Sequence, residues 1–97
     1  MTRIELAPEV LDDFERFFEH LTRFQVKDAP ARLQKIINAI QILAENPLIG
    51  RTVSDGLREL VIGRGSRGYV ALYRYLPDID TVFILALRAQ RESGFKR

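Results

Sequence analysis

The sequence predicts an α+β fold in the order β-α-α-β-β-β, an antiparallel sheet packed by a two-helix hairpin. Three observations predict it. Two apolar stripes with helical spacing fall between Pro8 and Ala44. Three runs with strand composition follow between Leu57 and Ala89, separated by turn-forming residues. Proline marks the expected helix boundaries at Pro8, Pro30 and Asn46-Pro47. With 97 residues the chain makes one domain, residues 1–97. A domain of that size buries about 60% of its unfolded-chain surface, enough for one core.

The first segment, Thr2 to Leu6, alternates polar and apolar residues with Ile4 and Leu6 on one face, as a short strand does. Pro8 suits the first turn of the helix that follows, because an amide hydrogen there has no intrahelical partner to lose. Val10, Leu11, Phe14, Phe17, Phe18 and Leu21 recur at i, i+3, i+4 and i+7 and make one apolar stripe, with the helix ending near Thr22 to Gln25. Glu9, Asp12 and Asp13 stand near its positive end, and Asp12, Asp13 and Glu15 read as a solvated face. His20, beside Glu19, reads as a solvated helix histidine, since no Ser or Cys nucleophile with an orienting group accompanies it.

A second helix starts at Asp28 with Pro30 just inside, and carries the stripe Leu33, Ile36, Ile37, Ile40, Leu43 and Ala44. Asn46-Pro47 stops it, because a residue before proline is pushed out of the α region. Neither helix can bury its stripe alone, so a sheet must lie beneath the pair.

That sheet comes from Leu57 to Arg64, Gly68 to Leu76 and Thr81 to Ala89, joined by Gly65-Ser66-Arg67 and Pro77-Asp78-Ile79-Asp80. In the middle strand Val70, Leu72 and Arg74 share one face, and Tyr69, Ala71, Tyr73 and Tyr75 the other. In the last, Phe83, Leu85 and Leu87 oppose Val82, Ile84 and Ala86. Apolar residues on both faces mark a central strand covered on at least part of each.

Charge is divided unevenly. Residues 1–50 hold six Lys and Arg against eight Asp and Glu, and residues 51–97 hold nine against five, so the halves carry −2 and +4. Arg51, Arg58, Arg64, Arg67, Arg74, Arg88 and Arg91 all lie on or beside the strands. A cationic sheet on a more acidic helical support suits an anionic partner, nucleic acid or an acidic protein segment. Arg64, Arg67, Arg74, Arg88 and Arg91 are therefore the candidate target-binding set, whereas Arg3, Arg23 and Arg32 are expected to tolerate substitution. Without Cys, disulfide and thiol chemistry are excluded, and a single His cannot assemble a zinc site, so neither metal nor cofactor is expected. Met1 to Leu6 has no room for the apolar core of a signal peptide, and the longest apolar runs fall far short of the ~20 residues of a membrane span. The expectation is a soluble cytoplasmic protein without a membrane partner.

Gly63-Arg64-Gly65-Ser66-Arg67-Gly68 matches GxGxxG, and Val70 extends it to the kinase-type pattern. A dinucleotide fingerprint must lead from a strand into a helix, but here the glycines lead from strand to strand. The other kinase motifs are missing. A glycine-permitted hairpin turn displaying Arg64 and Arg67 is the reading that remains.

Taken together, the element order, the helix exit Asn46-Pro47-Leu48-Ile49-Gly50-Arg51, the run Leu57-Arg58-Glu59-Leu60-Val61-Ile62, the strand Gly68 to Tyr75 and the closing Leu87-Arg88-Ala89-Gln90-Arg91-Glu92 resemble the RelE/ParE toxin superfamily of type II toxin-antitoxin systems. The resemblance covers nearly the whole chain and is closest to the ParE-like, plasmid-stabilisation branch. It implies a toxin neutralised by a cognate antitoxin in a hetero-oligomer. It further implies DNA gyrase as target for a ParE-like member, or ribosome-dependent mRNA cleavage for a RelE-like one. Arg64 matches a strand arginine of the nuclease pattern, but the loop from Pro47 to Gly56 has no Lys. Phe95 stands at the tail position of a Tyr, and Ala89 replaces the His that ParE-like chains usually show before Gln-Arg-Glu. No catalytic residue is assigned on the ParE-like reading; Tyr73 and Tyr75 are the candidates to accompany Arg64 on the other. Leu48, Ile49, Arg58 and Phe95 are the expected antitoxin contacts, an apolar set beside basic surface.

Overall fold

The computed structural model describes residues 1–95, so Lys96 and Arg97, counted above in the basic half, lie outside the described residues. The elements are β1 (Arg3–Leu6), α1 (Pro8–Arg23), α2 (Ala29–Ile42), β2 (Arg51–Ser54), β3 (Leu57–Ile62), β4 (Tyr69–Leu76) and β5 (Thr81–Ala89). Single 3₁₀ turns occupy Gly65–Arg67 and Pro77–Ile79. One five-stranded sheet runs β1-β5-β4-β3-β2, with β1 parallel to β5 and the remaining pairs antiparallel. The α+β fold with two helices on a largely antiparallel sheet is as the sequence predicts.

The additional strand, β2, lies in a segment of mixed polar residues with no alternation to announce it. All four of its residues are exposed at the sheet edge, and a bulge between Thr52 and Ser54 blunts that edge against further pairing. Asp28 precedes α2 in the left-handed region at φ 62° with no side-chain cap, a conformation that Asp tolerates better than most residues.

Both helices pack on one face of the sheet. Val10, Phe17, Ile36, Ile40 and Leu43 meet Ile62, Ala71, Tyr73, Val82, Ile84 and Leu87 in one core. Two corrections to the sequence reading follow from its geometry. Leu11 and Phe18, assigned to the stripe of α1, are 63% and 48% exposed, because the buried side of the helix is the one that carries Val10, Asp13, Phe17 and Leu21. Asp13, assigned to the solvated face, is fully buried.

β5 also breaks its own alternation. Leu72 stands opposite Ala86 and Tyr73 opposite Ile84, so Leu85 is an extra residue in β5. The bulge reverses parity beyond it: Leu87 joins Val82 and Ile84 in the core, and Ala86 turns to the other face. Among the described residues no helix covers that second face, yet Val70 and Ala86 are buried there, and on the same side Phe95 stacks on Arg88 at 5.3 Å.

Tyr73 fastens the end of α2 to the sheet. Its buried hydroxyl donates to the Pro47 carbonyl at 2.9 Å and accepts from the Gly50 amide at 2.8 Å. A Cβ on Gly50 would come within 2.6 Å of the same hydroxyl and 2.8 Å of the Glu59 carbonyl, so only glycine fits. Burial pushes the phenol above its ordinary value of 10, against smaller opposing effects of the Gly50 amide and Arg58. The folded state thus holds this proton more tightly than the unfolded chain. That stability is complete below pH 10 and is lost as the pH rises through the folded value. Tyr73→Phe leaves a buried amide and carbonyl without this partner and is expected to cost about 2 kcal/mol in urea denaturation at neutral pH. The gap from wild type should narrow above pH 10, and a cost below about 0.5 kcal/mol would contradict this role.

Candidate functional site: a cationic cleft at the end of the sheet

The end of the sheet that carries the β3–β4 turn is built around an edge that no strand completes. β1 ends opposite Ile84. Beyond that point the outward amides of β5, those of Leu87 and Ala89, are met by carboxylates. Asp13 Oδ2 accepts from the Leu87 amide at 2.9 Å, and Glu92 Oε1 from the Ala89 amide at 2.8 Å. Arg16 joins the two acids. It donates to Asp13 at 2.7 Å and forks onto both Glu92 oxygens at 3.1 Å, with a longer bond of 3.3 Å to the Leu87 carbonyl. Burial pulls the Arg16 guanidinium down, but its bonds to Glu92 and Asp13 and their charges outweigh this and hold it above the ordinary value.

Glu92 also donates its amide to the Ala89 carbonyl at 3.0 Å, closing a turn that carries Arg91 toward α1. There the Arg91 guanidinium meets His20 Nε2. His20 is half-buried and rests on the Phe24 ring at 4.8 Å. It is therefore a wall residue, not the solvated histidine the sequence implies. Position on the helix spiral decided this: His20 lies between the buried Phe17 and the exposed Phe24, at the rim of the helix–sheet junction.

Three depressions meet at Tyr69. The largest, about 460 Å³, lies between the end of α1 and the β3–β4 turn and is lined by His20, Phe24, Arg32, Arg67 and Arg91 beside Tyr69. A second, about 310 Å³, continues past Lys35 and Arg64, and a third, about 150 Å³, leads to Arg16 and Glu92. Gly63 and Gly65 take φ of +80° and +56°, which lets the turn fold tightly and present Arg64 and Arg67 at the rim. Tyr69 forms the floor, its ring tilted against Phe17 at 4.8 Å. Its hydroxyl has no hydrogen-bond partner among the described residues and opens to the cleft. Burial pushes this phenol above the ordinary value of 10, while the charges of Arg32 and Arg91 draw it back.

The five arginines singled out as target-binding separate here. Arg64, Arg67 and Arg91 converge on the cleft. Arg74 and Arg88 pair with Phe83 and Val70 on the opposite face of the sheet. Arg88 is further occupied by the carbonyls of Ala89, Gln90 and Glu92 at 3.3–3.4 Å. Arg32, expected to be dispensable, joins the cleft with Lys35. Sequence reasoning missed both because they sit on the flank of α2 and stand apart from the strand arginines in the chain. Tyr69 was visible only as one of several strand aromatics. Tyr75 donates to Asp80 at 2.8 Å and Tyr73 is held as described, so neither reaches Arg64.

The four residues singled out for an antitoxin do not form one patch. Leu48 and Ile49 are 58% and 56% exposed on the loop that hangs from Tyr73. Arg58 pins that loop by donating to the carbonyls of Leu48 at 3.2 Å and Gly50 at 2.8 Å. Phe95 lies on the other face, over Arg88. Among the described residues no group of His, Cys, Asp and Glu is arranged to hold a metal ion, and no helix is long and apolar enough to cross a membrane.

Comparison with known proteins places this geometry. Residues 4–94 match the family model described as the ParE toxin of the type II toxin-antitoxin system parDE. The toxin RelE3 of Caulobacter vibrioides is 31% identical over 78 residues, which span 80% of this chain and 85% of that protein. Among solved structures, a chain of the chromosomal ParDE toxin-antitoxin system of P. aeruginosa superposes with a TM-score of 0.74 at 19% identity, covering 92% of this chain and 96% of that one. A chain of the RelBE2 toxin-antitoxin complex of Mycobacterium tuberculosis gives 0.65 at 19% identity, over 92% and 98%.

Asp13→Ala removes the acceptor of the Leu87 amide and one of the two carboxylates on Arg16, and is expected to cost about 3 kcal/mol in chemical denaturation. Asp13→Asn keeps an acceptor oxygen and should cost less. Hydrogen exchange at Leu87 and Ala89 should accelerate in the alanine variant, and unchanged exchange there would sink the proposed capping of the β5 edge.

Proposed function

From a chain that belongs to the ParE toxin family of type II toxin-antitoxin systems, we propose a toxin that inhibits growth by binding and poisoning DNA gyrase and is neutralised by a cognate antitoxin in a hetero-oligomer. The observation that carries the gyrase reading is that the cleft is equipped to hold an anion and poorly equipped to transfer protons. Strand cleavage without a metal needs a general acid and a general base, each with a pKa near the working pH. Burial moves the Tyr69 phenol away from that range, and the other two strand tyrosines are held in structural bonds. The family-model match over residues 4–94 supports the same branch.

One observation favours a second reading, a ribosome-dependent endoribonuclease. His20 and the Tyr69 hydroxyl share the cleft with Arg67 and Arg91, and the relative RelE3 is 31% identical. A lone imidazole beside an arginine supplies one half of the acid-base pair.

The neighbours of known structure come from toxin-antitoxin complexes, which supports an antitoxin partner here. Leu48 and Ile49 offer it an apolar foothold next to the loop that Arg58 holds. An antitoxin segment that also contacts Phe95 must wrap around the sheet to its other face. Saturating antitoxin should raise the melting temperature by several degrees, as any ligand of the native state does. Equal melting temperatures with and without it would remove this partner.

Purified toxin is expected to inhibit gyrase supercoiling with accumulation of cleaved DNA complexes, and to leave mRNA uncut in a ribosome assay. The Arg67→Ala, Arg91→Ala double variant should lose growth inhibition with an unchanged melting temperature, because exposed charges contribute little to stability. Cleavage of mRNA at the ribosomal A site with gyrase unaffected would overturn the assignment in favour of the endoribonuclease.

A further inference from the structure

Several cations among the described residues are already engaged. Arg3, Arg16 and Arg51 are paired with carboxylates, and Arg58 and Arg88 are spent on backbone carbonyls. Arg32, Lys35, Arg64, Arg67 and Arg91 have no carboxylate partner among the described residues, although they crowd the same trough. No acidic residue lines its two larger chambers. Glu92, at the far end, is already engaged by Arg16 and the Ala89 amide. Five like charges around one cleft repel one another, and an anion with several negative charges in a row relieves that repulsion.

The walls carry more than charge. Tyr69, His20 and Phe24 present ring surfaces, and Leu21 and Val26 add apolar area between them. The Tyr69 hydroxyl, open to the cleft, is a donor and acceptor without a hydrogen-bond partner among the described residues. The chamber beside Tyr69, about 460 Å³, falls in the roughly 300–1,000 Å³ range of sites that enclose a small molecule. It admits one unstacked nucleotide but not a base-paired duplex. Its continuation past Lys35 and Arg64 makes a trough with cations along its length, where a single mononucleotide would need them at one end only. Ring surfaces with a cationic track are the means by which proteins hold single-stranded nucleic acid, the bases stacking and the phosphates following the charges. An acidic peptide would use the cations but not the rings.

Resting on the gyrase reading, we propose that this trough takes a single strand of DNA, with its phosphodiester backbone on Arg32, Lys35, Arg64, Arg67 and Arg91 and a base against Tyr69. The toxin would then touch DNA as well as the enzyme, at a strand freed from its duplex.

The test uses the free toxin and a short fluorescein-labelled oligothymidylate, with anisotropy read between about 50 and 200 mM salt. Binding should weaken steeply with salt, with a log–log slope of roughly −3 if four or five cations each displace a counterion from a single strand. The Arg32→Gln, Lys35→Gln double variant should bind more weakly and lower that slope by roughly 1 to 1.5, while Arg3→Gln changes neither. Tyr69→Leu should weaken binding with the slope unchanged, the signature of lost stacking. Circular dichroism confirms that each variant is folded. No binding at the low-salt limit, or a slope that ignores Arg32 and Lys35, would overturn the proposal. Tighter binding of polyglutamate would overturn it in favour of an acidic protein segment, and clearly tighter binding of oligouridylate in favour of RNA. Gyrase inhibition without oligothymidylate binding would remove this site and leave the gyrase reading standing. Salt-dependent binding with gyrase untouched would support the site and remove that reading.

Discussion

β5 is the strand on which this fold depends, and it runs further than its neighbour on one side. β1 pairs with it only as far as Ile84. Past that point the amides of Leu87 and Ala89 project from an otherwise buried strand, and a buried amide without an acceptor costs about 1–3 kcal/mol. A longer β1 would satisfy them and would also close the end of the sheet. Asp13 from α1 and Glu92 from the tail satisfy them instead, with Arg16 bonded to both. Two carboxylates on one guanidinium are worth having only when all three are hydrogen-bonded, since desolvation otherwise offsets the attraction. Here every member has several partners. The arrangement fixes α1 against β5 and leaves the end of the sheet open beside it.

That opening is the cleft. Arg16 lies over the Phe17 ring at 5.0 Å, and Phe17 supports Tyr69, so the buried network and the cleft floor are successive layers of one packing column. The turn that brings Glu92 back to Ala89 is also what points Arg91 at His20. A cation held in place in this way loses little conformational freedom on meeting an anion, which is how preorganisation raises affinity. The site therefore owes its geometry to residues that do not line its main chamber.

How much of this was legible follows from what periodicity can register. The alternation of β4 and most of the stripe of α2 predicted their buried faces because apolar spacing was the dominant signal there, although Ile37 of that stripe is 38% exposed. Asp13 defeated the same logic. A carboxylate near the start of a helix reads as solvated, and only the unpaired amides of a strand 74 residues away make it a buried acceptor. The bulge at Leu85 was hidden because β5 is apolar at every position from Val82 to Leu87, so a change of parity leaves no trace in composition. The strand arginines drew attention to the right end of the sheet through Arg64, Arg67 and Arg91. His20, Arg32 and Lys35 complete the cleft from two helices, and nothing in their local sequence links them to it.

The tail is the place where the two faces of the sheet are tied together. From Arg88 onward the chain deals its side chains to both faces. Arg88 goes to the open face under Phe95, Ala89 lines the cleft, and Arg91 enters it. The turn between them is gripped from both sides. On the cleft side Arg16 and the Ala89 amide hold the Glu92 carboxylate, and on the open face Arg88 donates to the carbonyls of Ala89, Gln90 and Glu92. The Gln90 amide adds a bond of 2.9 Å to the Gly68 carbonyl, fastening the tail to the turn that carries Arg67. Arg67 and Arg91, which come from different strand ends, are thereby brought to the same chamber beside Tyr69. The aspartate, the glutamate and the two clamping arginines supply the constraint, and the cations left over supply the charge.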